Sequence, residues 1–274
     1  MRLDRLVRIA NQAKTDAQRN RVGEVLLELM RCSPEALLYK KTPKITRGVE
    51  KVGEGAYGAV FYGCLDDECH TRVAIKFSKK SLKSEYEICK KLSELGVAPR
   101  VYLYGYCQSK KMEYMYYEYA SHGSVEDFVK KHGKTLRASD YKAILYQVYK
   151  LLRKVHRVYP SYRHYDLHPG NVLVNNVRGK MRLLLSDFGM SEMKGIRSPL
   201  LTKSWKKEQA PDAFVFIYYL AKEDVRPPTA KAFLKAFSER EYDSQTSSVD
   251  VIADAMKYPF MKGRITALTP VKLH

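Results

Sequence analysis

No stretch of this chain is both long and apolar. The longest run free of charged and strongly polar residues is about nine, Ala213 to Ala221, well short of the ~20 a membrane span needs. The N-terminal segment MRLDRLVRIANQAK mixes charge with apolar residues and lacks a continuous apolar core, so no secretory signal is expected. Cysteines are few and odd in number. Cys32, Cys64, Cys69, Cys89 and Cys107 form no regular framework, so reduced thiols in a cytoplasmic or nuclear compartment are expected. Cys64, Cys69 and His70 lack a second ligand pair at zinc-site spacing, which argues against structural zinc. Acidic residues are also short: 30 Asp+Glu face 49 Lys+Arg, a formal charge of +19. That excess points to an anionic partner, whether nucleic acid, membrane surface or acidic protein, although a Lys- and Tyr-rich composition alone produces it too. What is present is 45% hydrophobic residues and 11% aromatics, enough for a core and too much for general disorder. Over 274 residues, that core belongs to one large domain or two modest lobes.

The apolar pattern changes along the chain. Leu3, Leu6, Val7 and Ala10, then Val22, Leu26, Leu27, Leu29 and Met30, fall at helical spacing, and Lys40 to Lys44 reads as a basic linker. From Val49 the period shortens towards two. Val49–Val52, Ala59–Cys64 and Thr71–Phe77 read as strands, Leu82 to Leu95 as a helix, and Val101–Tyr106 and Met112–Tyr119 as two further strands. Past Gly123 the pattern is mainly helical. Ile144, Leu145, Val148, Leu151, Leu152 and Val155 trace the apolar stripe of a long central helix. Val172–Val174 and Met181–Leu185 are short strands, and Phe233, Leu234 and Phe237 mark one more packed helix. The expected fold is α+β, with a five-stranded lobe followed by a helical one.

Within this frame, Gly53-Glu54-Gly55-Ala56-Tyr57-Gly58 supplies a G-x-G-x-x-G run. A dinucleotide fold needs a helix after it, whereas Ala59-Val60-Phe61-Tyr62 looks like a strand. The glycines therefore belong to a hairpin, where backbone N–H groups approach phosphate oxygens without a Cβ in the way. Val73-Ala74-Ile75-Lys76 follows on the next strand, its lysine eighteen residues after Gly58. His164-Tyr165-Asp166-Leu167-His168-Pro169-Gly170-Asn171 and Asp187-Phe188-Gly189 complete the series. Four such motifs in this order resemble the eukaryotic-type protein kinase family.

The resemblance implies a bilobal kinase-like fold, with a basic helical extension over residues 1–48 and a kinase domain over 49–274. Within that domain it implies an N-lobe at about 49–117, a hinge at about 118–123 and a shortened C-lobe at about 124–274. It implies ATP and Mg²⁺ as cofactors, with Asp166 as the base that accepts the substrate hydroxyl proton. Asn171 and Asp187 would hold Mg²⁺, and Lys76 the α- and β-phosphates. The lysine's acidic partner is expected on the following helix. Glu85 shares a face with Ile88 and Leu92, while Glu87 sits further round, so Glu85 is favoured. Val52, Val60, Ala74 and Leu173 would enclose the adenine, Gly53, Gly55 and Gly58 would line the phosphates, backbone groups of Glu118 and Ala120 would pair with the base, and Tyr117 would be the gatekeeper.

Several residues depart from the family pattern. Tyr165 stands where an arginine usually precedes the catalytic aspartate, implying activity without phosphorylation of the activation segment, with Arg163 as a substitute. His168 replaces a lysine that would contact the γ-phosphate; it is read either as a catalytic-loop participant or as a structural histidine. Gly170 lies where kinases preferring basic substrates often carry Glu. Asp212 either ends the activation segment or opens the central helix and braces the catalytic loop, the second role being preferred. Ser191, Ser198, Thr202 and Ser204 are hydroxyls in that segment.

The expected activity is transfer of the ATP γ-phosphate to Ser/Thr hydroxyls of protein substrates. The alternatives are a small-molecule phosphotransferase of the aminoglycoside- or choline-kinase kind, which the His168 loop also resembles, and a pseudokinase binding scaffold. The charge favours acidic or nucleic-acid-associated protein partners docked on the basic extension, with direct nucleic-acid binding a further option. The compact form resembles viral or bacterial-effector kinases acting in a host cell.

Overall fold

The computed structural model describes Thr15, Ala17, Gln18 and residues 51–55, 58–64, 72–107, 111–201, 210–243, 245–266 and 268. The helices expected before residue 48, the Cys69 and His70 pair, Thr202 and Ser204 lie outside the described residues. For residues 51–55, 58, 59, 61–64 and 107 the description is of the backbone. Two compact units emerge: Met1–Tyr86 with Arg100–Tyr119, and Glu87–Pro99 with Ala120–His274.

The first unit is built on a sheet of β1 (Lys51–Gly55), β2 (Gly58–Cys64), β3 (Arg72–Ser78), β4 (Val101–Cys107) and β5 (Met112–Glu118). Neighbours pair in the order β1-β2-β3-β5-β4, all antiparallel. β1 extends past Val52 into Gly53-Glu54-Gly55, because the glycine hairpin is itself paired, with Gly55 opposite Gly58. β3 lies between two partners, so its residues alternate less than an edge strand would. Val73, Ala74, Ile75 and Phe77 are all buried.

Helix α1 (Lys83–Glu94) begins in this unit. Its start is fixed by Glu113 on β5, whose carboxylate accepts from the backbone N–H of Leu82, from Ser81 Oγ at 3.2 Å and from Tyr104 Oη at 2.9 Å. An anion at a helix N-terminus also meets the positive end of the helix dipole, worth about 0.3–1 kcal/mol. Tyr86 stacks on Tyr104 with ring centroids 4.9 Å apart, which sets the rotation of the first turn. That rotation turns Glu85 inward with Ile88 and Leu92, all three buried.

The second unit is arranged around α3 (Ala138–Val158). Ile144, Leu145, Val148, Leu152 and Val155 are buried along one face, while Leu151 at its border is half-buried. β7 (Lys180–Leu185) and α4 (Asp212–Leu220) pack against it, while α2 (Val125–His132) packs on β6 (Val172–Val177), the hairpin partner of β7. Then follow α5 (Pro228–Ser238) and α6 (Ser248–Lys257). The two strands of the hairpin are longer than their apolar cores, since pairing continues to Val177 opposite Lys180. α5 buries Phe233, Leu234 and Phe237, the residues that announced it. α6 lies in the tail, residues 222–274, that the sequence marks only as helical and polar. It was not singled out there, yet its signal was present: Ser247 and Asp250 form a capping box, and Val251, Ile252 and Ala255 form one buried face. Among the described residues, no helix is long and apolar enough to cross a membrane.

Candidate active site

In the first unit the sheet and α1 bring Lys76 and Glu85 together. Lys76 Nζ donates to Oε1 and Oε2 of Glu85 at 2.8 and 2.9 Å. The side chains are 13% and 5% exposed. Glu87, the other candidate, is not the acid that meets the lysine in these contacts. Val60 lies opposite Lys76 in the β2–β3 register, and Tyr117 opposite Ala74 in the β3–β5 register. Val52, Gly53 and Gly55 are on β1, and Gly58 opens β2. Glu118 ends β5, and its N–H is engaged within the sheet, donating to the Arg100 carbonyl at 2.8 Å. An adenine could therefore not take that N–H without displacing Arg100.

The second unit gathers Asp166, His168, Asn171 and Asp187. Asn171 Nδ2 donates to the Asp166 carbonyl at 2.8 Å and to Asp166 Oδ2 at 3.3 Å, which ties the two ends of the loop together. His168 caps the 3-10 turn Pro169–Asn171, its Nδ1 accepting from the Gly170 N–H at 3.1 Å. A neutral ring that accepts at Nδ1 carries its proton on Nε2. Nε2 lies 4.0 Å from Asp166 Oδ1. Gly170 has little room for a side chain: a Cβ there would come within 2.7 Å of the His168 ring and 2.9 Å of Glu126 Oε2. Burial pushes the Asp166 carboxyl above its ordinary value; His168 and His164 pull it down, the charge of Asp187 raises it, and the Asn171 amide lowers it.

Two residues here hold backbone conformations that residues other than glycine rarely adopt. Tyr165 in this loop has φ 63°, and Asp187, after β7, has φ 55°, both left-handed. Each such residue costs about 1–3 kcal/mol and persists only where its surroundings impose it. At Tyr165 the imposing group is Asp212, the first residue of α4 and fully buried. Its Oδ2 accepts from the His164 N–H at 2.9 Å and its Oδ1 from the Tyr165 N–H at 3.0 Å. Asp212 therefore opens a buried helix and holds the loop that carries Asp166, in line with the preferred of its two sequence readings. Arg163 lies 3.8 Å from Asp212, donates to the Ala210 carbonyl at 3.1 Å and stacks on Tyr165 at 5.0 Å.

Supporting contacts come from Ser186, which the sequence reading did not weigh, and from Ser191, which it named only as a hydroxyl of the segment. His164 Nε2 meets the Ser186 carbonyl at 3.0 Å, while the Ser186 hydroxyl and N–H both donate to the Asn171 carbonyl. Ser191 donates to the His164 carbonyl. The chain on either side of Asp187 is thus stitched to the loop that carries Asp166 by bonds that end on main-chain carbonyls, which leave no local sequence signal.

Ala120 is buried and Leu173 half-buried on β6, where Leu173 bridges to Ser124 at the start of α2. Among the described residues, no three His, Cys, Asp or Glu side chains form a closed metal cage. The donors available near Asp166 are the Asn171 amide oxygen and the Asp187 carboxylate, both hard oxygens. Such a sparse set suits Mg²⁺, which is usually bound by one or two protein oxygens and completed by phosphates and water.

Comparison with known proteins agrees with this geometry. A family model described as the protein kinase domain matches residues 47–226, more than half of the chain. The chain belongs to the protein kinase family. Among similar proteins is a probable L-type lectin-domain containing receptor kinase V.3 of Arabidopsis thaliana, 30% identical over 186 residues, covering 62% of this chain and 26% of that protein. The serine/threonine-protein kinase dst4 of Dictyostelium discoideum is 28% identical over 237 residues, covering 84% of this chain and 44% of its own length. The cytoplasmic tyrosine-protein kinase BMX of Mus musculus is 28% identical over 183 residues, 65% of this chain and 27% of that protein. The chain spans about a quarter of the length of the receptor kinases it matches (27% and 26%).

Proposed function

We propose that the chain is an ATP-dependent protein kinase that transfers the γ-phosphate to serine or threonine hydroxyls of protein substrates. The observation that supports this most is the sheltered, bidentate Lys76–Glu85 pair. A buried ion pair adds little net stability compared with apolar packing, so its retention favours a ligand-holding role for Lys76.

In this reading Lys76 takes the α- and β-phosphates, and the backbone of Gly53, Gly55 and Gly58 covers them. Val52, Val60, Ala74 and Leu173 provide apolar contact for the adenine. Backbone groups of Glu118 and Ala120 pair with its edge, with Tyr117 as gatekeeper. Asp166 orients the acceptor hydroxyl and takes its proton as the phosphoryl group moves. His168, with Nε2–H towards Asp166, steadies that carboxylate electrostatically. Asn171 and Asp187 would hold Mg²⁺, which would supply positive charge to offset that of the phosphates. Little covalent chemistry is asked of the protein, so positioning and charge placement supply most of the rate. The kinase domain is taken to run over residues 49–274 behind a basic extension, in an intracellular, reducing setting.

Labelled ATP and Mg²⁺ incubated with a protein mixture, followed by phosphoamino-acid analysis, test the proposal. Labelled phosphoserine or phosphothreonine is the expected product. Label on tyrosine alone, or only on an added small alcohol, would overturn the assignment.

A further inference from the structure

The far end of α4 brings two large aromatic side chains to the surface. Tyr218 and Tyr219 are 38% and 44% exposed, although their helix neighbours Phe216, Ile217 and Leu220 are buried. Lys222 Nζ sits over both rings, 4.1 Å from the Tyr218 centroid and 5.2 Å from that of Tyr219. The Tyr219 ring in turn lies 5.8 Å from the ring of His168, whose Nε2 is 4.0 Å from Asp166 Oδ1. One continuous run of contacts within the second unit leads from Asp166 to an exposed cation. Its reach is short, no more than about five residues of extended peptide at roughly 3.3 Å each.

No carboxylate among the described residues pairs with Lys222. Contact with ring faces orients an ammonium group and leaves its charge in place. The nearby acids are otherwise committed. Glu126, beside Gly170, forms an ion pair with Lys130. Glu223 feels Lys130 and Glu126, and burial holds its carboxyl above the ordinary value. Gly170 offers no acid of its own, and the crowding around its Cβ position leaves no place for one. A substrate passing Asp166 therefore meets a positive charge framed by two tyrosines. The chain's +19 charge has the same sign over a longer range.

We propose that Lys222, seated on Tyr218 and Tyr219, selects protein substrates bearing an acidic side chain within about five residues of the phosphoacceptor. The inference rests on the kinase reading and adds a residue that sets specificity. Opposite charges at an exposed site attract modestly, so the gain appears mainly in KM and fades with salt.

The test compares serine peptides flanked by Glu, Ala or Lys, with wild type, Lys222→Glu and Lys222→Arg. Wild type is expected to show a KM about fivefold lower for the Glu-flanked peptide than for the Ala-flanked one. Lys222→Arg should keep that preference, and Lys222→Glu should reverse it in favour of the Lys-flanked peptide. The preference should vanish near 1 M salt, where the Debye length is about 3 Å. Because Lys222 is exposed, unchanged melting temperatures provide the folding control. Transfer to all three peptides without preference, or a preference that Lys222→Glu leaves unchanged, would overturn this inference and leave the kinase reading standing. Transfer to none of them would sink both. Competition by a single-stranded oligonucleotide that depends on Lys222, with no effect of peptide charge, would make the patch a nucleic-acid site and also overturn the proposal.

Discussion

Replacing Asp212 by Asn removes one charge from the brace beneath the catalytic loop. In the native protein its carboxylate accepts from two consecutive backbone N–H groups, at 2.9 and 3.0 Å, from a segment 48 and 47 residues earlier. An amide of the same shape can accept only through its oxygen, so its nitrogen would face an N–H donor. Hydrogen bonds to charged groups contribute about 1.5–3 kcal/mol each, and one of the two is lost. Arg163, 3.8 Å away, also loses one nearby negative charge. A destabilisation of about 3 kcal/mol follows, at the lower end of the range for breaking a buried charged network. At about 2–4 °C per kcal/mol for a unit of this size, the melting temperature should fall by roughly 6–12 °C. Tyr165 is held at φ 63° by the same carboxylate, so the loop should relax and carry Asp166 with it. Displacement of about 1 Å at a reacting centre costs up to 10²-fold in rate. Thermal unfolding and kcat, measured on the same preparation below the lowered transition, read both effects. A melting shift under about 2 °C with unchanged kcat would refute the reasoning.

Other outcomes follow from the same contacts. Glu85→Gln keeps the shape of the Lys76 partner but removes its charge; the KM for ATP should rise and kcat fall, and titration with a fluorescent ATP analogue reads the binding part. Asp166→Asn should lower the transfer rate by about 10²–10⁴-fold yet raise stability. Burial holds the Asp166 carboxyl above its unfolded value, so the charged form carries a penalty that is absent below the unfolded pKa and full above the folded one. Melting temperatures of wild type and variant should therefore diverge as pH rises through that window, and a variant less stable at neutral pH would contradict the sign. Arg163 already pins the Ala210 carbonyl without a phosphate, so phosphatase treatment should leave the rate unchanged while Arg163→Ala lowers it several-fold. A rate abolished by phosphatase would contradict that account.

The parts of the site legible in sequence were those with local signals. The lysine strand, the catalytic loop and the Asp187 segment each sit in a short motif, and Glu85 could be chosen over Glu87 because three residues on a helix share a face. Strand and helix limits drifted by one to three residues, since ladder pairing extends beyond the apolar core, as at Gly53–Gly55 and Val177. The role of Asp212 stayed open because its two partners lie 48 and 47 residues away, and only the folded chain brings them to its carboxylate. The same holds for Ser186 and Ser191, whose bonds are to main-chain atoms of the loop. Sequence offered two readings of His168; its Nδ1 caps the turn at Gly170, and its Nε2 lies 4.0 Å from Asp166 Oδ1. α6 escaped notice because its apolar face is small and includes an alanine, leaving the capping box as its clearest mark.

The central claim is that Asp166 and Lys76 serve phosphoryl transfer. Its most direct test is the initial rate of γ-phosphate transfer to protein by wild type, Asp166→Ala and Lys76→Ala, each first shown to be folded, with nucleotide binding measured alongside. Asp166→Ala should lose about 10²–10⁴-fold in rate while still binding ATP, the scale of a missing general base. Lys76→Ala should lose both binding and rate. Near-normal transfer by Asp166→Ala would contradict the account.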